Sequence, residues 1–145
     1  MSTELLSNDV YLAQSLIPTA LTNSATVEAI DWGVLATLEE IREEGEPDLI
    51  VELIDLYIED APHWVEAMRL AAAAKDATML KRAAHSLKGS SGSLGVRQVA
   101  ETCRMLEQSN GSDSVGKVEE LLQLLDREFG QACDALSAER TRRLA

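Results

Sequence analysis

The 145-residue chain has little of what several functional classes require. Aromatic residues are 3% of it, and only 3 prolines and 8 glycines punctuate it. An all-β protein needs aromatic and β-branched strands cut by frequent turns, so that class is excluded. Basic residues are scarce, 13 against 25 acidic, and the net charge of −12 would repel a phosphate backbone, which removes nucleic acid as a partner. No apolar run approaches the roughly 20 residues of a membrane helix. The opening Met1-Ser2-Thr3-Glu4 lacks a basic stretch ahead of an apolar one, so no secretory signal is expected and the expected location is cytoplasmic. The 2 cysteines, Cys103 and Cys133, form no CxxC and accompany no histidine pattern. They read as small buried hydrophobes in a reducing compartment, with no metal site and no cofactor. A Gly-rich phosphate loop and a serine with a plausible base are also missing.

What the chain does have is helical periodicity. From Asp31 onward apolar residues recur at spacings of three and four, one face of a 3.6-residue helix. Asp31 is expected to cap a short first helix that buries Leu35, Leu38 and Ile41 and stops near Gly45. Pro47 suits the first turn of a long second helix, with a stripe from Leu49 through Ile54, Tyr57, Ala61, Trp64 and Val65 to Met68 and a kink at Pro62. Asp76 caps a third, carrying Met79, Leu80, Ala83, Ala84, Leu87 and Leu94 and stopping at Gly95. Val96, Val99, Ala100, Cys103 and Leu106 mark a fourth. After the turn formers Ser109 to Ser114 and a short loop containing Gly116, Val118, Leu121, Leu122, Leu125, Phe129, Ala132 and Leu136 mark a fifth. The expectation is all-α: an antiparallel four-helix bundle over residues 28–145, a short helix packed across one end, and residues 1–27 as an extension.

Only two histidines exist, His63 and His85. A histidine in a helix is ordinarily a core or edge residue satisfied by a neighbour. On a wheel of about 100° per residue with His85 at zero, however, Ala83, Leu87, Leu80 and Ala84 fall between about 160° and about 260°, so the apolar face points away from it. Gly89, at about 40°, and Gly92, at about 340°, lie beside the imidazole instead. Each glycine inside a helix costs about 1 kcal/mol relative to alanine, with no local return, unless another surface must come close. Lys81 at about 320°, Arg82 at about 60° and Lys88 at about 300° flank the same histidine. Between Lys75 and Arg104 the balance is +4, leaving −16 for the rest of the chain. A lysine-rich face is often mere solvation, but cations around an exposed imidazole suit a phosphoryl group or an acidic partner. In its neutral form such an imidazole offers one ring nitrogen as a nucleophile able to accept phosphoryl.

The run His85-Ser86-Leu87-Lys88-Gly89-Ser90-Ser91-Gly92-Ser93-Leu94-Gly95, preceded by Ala83-Ala84, resembles the signature of histidine-containing phosphotransfer (HPt) domains of bacterial multistep phosphorelays. The likeness extends over roughly residues 28 to 140, including Leu56 to Pro62 and the Ala100, Cys103, Leu106-Glu107 spacing, and is weakest around Gly116. It implies that His85 exchanges phosphate with aspartates of response-regulator receiver domains and hybrid histidine kinases. It also implies that Lys88 balances phosphoryl charge, that Gly89 and Gly92 clear room for the receiver, and that Leu87 and Leu94 hold the helix in the core; Lys81 and Arg82, from their charge beside His85, are expected at the docking surface. The Mg²⁺ of the reaction would belong to the receiver, and His63 would be a surface residue. A docking or inhibitory module of the same fold, with His85 phosphorylation incidental, is the alternative; a kinase would need a nucleotide site. The charge and the lack of a spare apolar stripe favour a monomer.

Overall fold

A computed structural model describes residues 29–109 and 115–145. Five helices follow one another: α1 (Trp32–Glu40), α2 (Leu49–Ala73), α3 (Ala77–Ser93), α4 (Arg97–Gln108) and α5 (Val115–Leu144). The expected extension, residues 1–27, and the turn formers from Asn110 to Ser114 lie outside the described residues.

The N-termini are set by aspartates. The Asp31 carboxylate accepts from the Gly33 N–H, Asp48 from those of Ile50 and Val51, and Asp76 from that of Met79. Each satisfies backbone donors that the first turn leaves without partners. The cap on α2 corrects one expectation: Pro47 stands before Asp48, outside the helix, because the carboxylate and not the proline ring starts it. Pro62 lies within α2, exposed, and helix continues on both sides of it.

Two C-termini use the same device. After α2, the Asp76 N–H donates to the Ala71 carbonyl and that of Lys75 to Ala72, with Lys75 at φ 58°. After α3, the Val96 N–H donates to Ser91 and that of Gly95 to Gly92, with Gly95 at φ 78°. This paired pattern closes a helix through one left-handed residue and turns the chain back within three. At Gly95 a side chain is impossible for a further reason: a Cβ would lie 2.6 Å from the Asp31 carbonyl oxygen. The start of α1 is seated there, with the Asp31 N–H donating to the Gly95 carbonyl at 2.7 Å and Arg97 2.9 Å from the Asp31 carboxylate.

These tight turns make the bundle antiparallel, and cross-helix pairs record its register. Tyr57 on α2 meets Ser91 on α3, Thr102 on α4 meets Glu128 on α5, and Arg69 and Arg140 tie α2 to α5 through Asp126 and Asp55. The core runs through Ile50, Ile54, Met68, Leu87, Val99, Leu106, Leu125 and Leu136, all essentially inaccessible. Each such side chain contributes about 1.5–3 kcal/mol of apolar burial. Cys103 is buried among them, and burial pushes its thiol up to about 12; Cys133 is half-buried and also raised. At the end where α1 packs, Arg143 joins Glu39 (3.0 Å), Asp48 (3.1 Å) and Glu139 (2.8 Å), binding α1, the start of α2 and the end of α5.

Three apolar assignments and two boundaries are corrected. Ile41 is 67% exposed because α1 ends at Glu40 and Ile41 only caps it. Trp64 and Met79 lie at the outer edges of their stripes, more than a third exposed. Val96 is a buried cap before α4, not its first residue. Gly116 belongs to α5, not to a loop.

Gly95→Ala combines a left-handed φ with a backbone collision and is expected to cost about 2–3 kcal/mol. Gly45→Ala, at φ 87° with open space around it, should cost about 1 kcal/mol. Denaturant midpoints of the two variants check the difference.

Candidate functional site

His85 sits mid-way along α3 on the face turned from the core, its side chain 68% exposed. The core anchors expected of this helix are in place: Leu80, Ala83, Ala84, Leu87 and Leu94 are all buried. The rotation of α3 is pinned as well by Ser91, whose buried hydroxyl is 2.8 Å from that of Tyr57. Tyr57 in turn stacks at a tilt on Phe129, with centroids 5.9 Å apart. The other serines serve the helix itself: Ser90 donates to the Ser86 and Leu87 carbonyls and Ser93 to Gly89.

The imidazole has a partner to which the sequence pattern gave no role in the site. Glu107, on α4, places Oε2 2.8 Å from His85 Nδ1 and Oε1 2.6 Å from Lys88 Nζ. Ten residues before Gly95 and twelve after it, His85 and Glu107 face one another because the two helices run antiparallel from that turn. The hydrogen bond from Lys88, and then that from His85, holds the Glu107 carboxyl below its usual range, so it is an anion at neutral pH. An anionic carboxylate can only accept, which puts the ring proton on Nδ1 and leaves Nε2 with its lone pair. Orientation of an imidazole by a carboxylate on its far nitrogen is the logic of hydrolase triads.

The remaining expected site residues surround this pair. Lys88 is on the same face as predicted, but half-buried, its ammonium held by Glu107. Lys81 and Arg82 are exposed, and neither has an ion pair among the described residues. Arg82, Thr78 and Ser86 line a shallow cleft with His85 and Glu107; Lys81 borders that cleft and an adjoining one lined by Lys88, Arg104 and Gln108. Arg104 is already bound to Glu101 and Gln108. Glu107 thus subtracts one charge from the cationic face. His63 is exposed on α2 and makes no part of the site.

Gly89 and Gly92 are exposed, and a Cβ on either would meet nothing within 4 Å. The bundle itself therefore has no need of glycine there. Gly89→Ala and Gly92→Ala should each raise stability, by up to about 1 kcal/mol, measurable as a later urea midpoint.

Comparisons with known proteins bear on the family and the fold. Residues 52–139 match the family model of the Hpt domain. A relative in Arabidopsis thaliana, histidine-containing phosphotransfer protein 5, is 32% identical over 69 residues; the match spans 46% of this chain and 44% of that protein. Less than half the length of that curated relative is thus covered. The crystal structure of histidine-containing phosphotransfer protein B (HptB) from Pseudomonas aeruginosa superimposes with a TM-score of 0.69 at 30% identity, covering 79% of this chain and 96% of the other. With its helical bundle, its exposed histidine on the second bundle helix and a family match over more than half its length, the chain belongs to the Hpt domain family.

Proposed function

We propose that this protein is a phosphorelay intermediate, a phosphoryl carrier and not a kinase, which accepts a phosphoryl group on His85 from the aspartate of one receiver domain and passes it to another. The observation that carries this reading is the state of one ring: Nδ1 engaged by Glu107, the side chain exposed, and the flanking helix surface cleared by Gly89 and Gly92. Nε2 is then the atom that attacks.

In the acceptance step the Nε2 lone pair forms the N–P bond while the P–O bond to the donor aspartate breaks and its electron pair leaves on the carboxylate. Nδ1 keeps its proton, so the ring becomes a phosphoimidazolium and no external base is needed. In the return step the leaving group is neutral imidazole. Phosphoryl transfer of this kind depends mostly on positioning and on charge stabilisation. Lys88 lies one helical turn along the same face, and Lys81 and Arg82 offer free charge to the acidic surface of a docking receiver. The Mg²⁺ of the reaction is supplied by the receiver in this reading. Hybrid histidine kinases and response regulators are the expected partners, and the protein is expected to act as a monomer in the cytoplasm.

The test mixes the full-length chain with a panel of phosphorylated receiver domains and follows phosphate by intact mass. Rapid transfer from one or a few receivers is expected, giving acid-labile, alkali-stable phosphate that His85→Gln abolishes. A phosphoester on serine or threonine would overturn the reading. Tight receiver binding without transfer would favour a docking and inhibitory module instead. Gly89→Ala is expected to reduce the transfer rate about tenfold or more although it stabilises the bundle, because an added methyl meets the partner and not the chain. Lys81→Glu with Arg82→Glu should slow association, an effect that fades as salt rises.

A further inference from the structure

Lys88 has one ammonium and two claimants. One helical turn past His85 on the same face, it is the cation placed to neutralise a phosphoryl group on Nε2. In the structure it is instead 2.6 Å from the Glu107 carboxylate, whose other oxygen holds the ring of His85. The phosphoryl group would bring about two negative charges close to the Glu107 anion, while the ring, still protonated on Nδ1, gains one positive charge. The other nearby cations are either already paired or face the exposed cleft that they share with His85. Arg104 is bound to Glu101 and Gln108, and Lys81 and Arg82 precede His85 on the helix, on the exposed cleft.

Resting on the relay reading above, we infer that Glu107 competes with the phosphoryl group for Lys88, so that the site holds phospho-His85 loosely and is poised to donate. The resting ion pair between Glu107 and Lys88 must loosen or be shared when Nε2 gains phosphorus, and it re-forms when the N–P bond breaks and the acceptor carboxylate takes the phosphoryl group. The same carboxylate keeps Nδ1 protonated throughout, so the leaving group is always neutral imidazole. Glu107 is therefore a positioning residue with two effects. It prepares Nε2 to accept, and it opposes retention of what Nε2 has accepted. The Glu107–Lys88 pair is half-exposed, so its influence on the equilibrium is modest, about three- to fivefold.

Glu107→Gln separates the two effects, since the amide oxygen still accepts from Nδ1–H while the competing charge is gone. The full-length protein is equilibrated with a receiver that exchanges phosphate with it, and the partition is read by intact mass. In parallel, phospho-His85 is made with potassium phosphoramidate, which needs no partner, and its decay is followed. Glu107→Gln is expected to raise the share and the lifetime of phospho-His85 about three- to fivefold. Lys88→Gln should lower both, and the double variant should match Lys88→Gln alone, because the gain acts through the lysine. A share and lifetime unchanged or reduced in Glu107→Gln would overturn the inference. So would a gain that survives in the double variant, which would mark simple repulsion and not competition. No phospho-His85 in the unaltered protein from either donor would overturn the relay reading itself. Phospho-His85 that forms and is indifferent to Glu107 would overturn the competition alone.

Discussion

The register between α3 and α4 is set by the three residues from Leu94 to Val96, and His85, Lys88 and Glu107 meet only because of it. A left-handed residue has to close α3 so that α4 can return at once alongside it. It has to be glycine, since the Asp31 carbonyl occupies the space where a Cβ would go. One turn thus seats α1 against the bundle and aligns two helices so that a carboxylate from one reaches two side chains of the other. A slip of one residue in that hairpin would rotate Glu107 by about 100° and leave His85 and Lys88 without their common partner.

The site is small because the fold does most of the orientation. Buried Leu80, Ala84, Leu87 and the Tyr57–Ser91 hydrogen bond decide which way α3 faces, and everything on its outer side follows. That outer side is built against helix stability. Two glycines stand where alanine would fit without any contact, and Ser90 and Ser93 beside them bond to the helix's own carbonyls. Such a surface has a physical rationale only when another molecule covers it. The same segment carries free cations on an otherwise acidic protein, so shape and charge single out one face. At its centre, Glu107 takes one charge from that cationic face before any phosphoryl group arrives.

Much of this is readable along the chain. The aspartate caps at Asp31 and Asp76, the stop at Gly95, the buried faces of α3, α4 and α5, and the exposure of His85 all follow from spacing within a single helix. Where local rules compete, reading the chain alone is less secure. Pro47 and Asp48 are both good starts for α2, and the carboxylate prevails because it satisfies two N–H groups that proline leaves unbonded. Trp64 and Met79 have apolar spacing but sit at stripe edges, where the position of the neighbouring helix decides exposure. Gly116 looks like a loop residue among turn formers, yet it lies in the first turn of a 30-residue helix whose packing tolerates it.

The amino-acid sequence by itself determined the helical class, the phosphotransfer-like motif, the residues that face solvent around His85 and the sign of the charge they carry. Each of these depends on periods and propensities confined to a few turns of one helix. Only the tertiary structure decided that Lys88 is shared, that Nδ1 is the bonded nitrogen and that Glu107 belongs to the site. Those facts depend on a contact between helices, fixed by the geometry of the Gly95 turn and not by any pattern of neighbours along the chain.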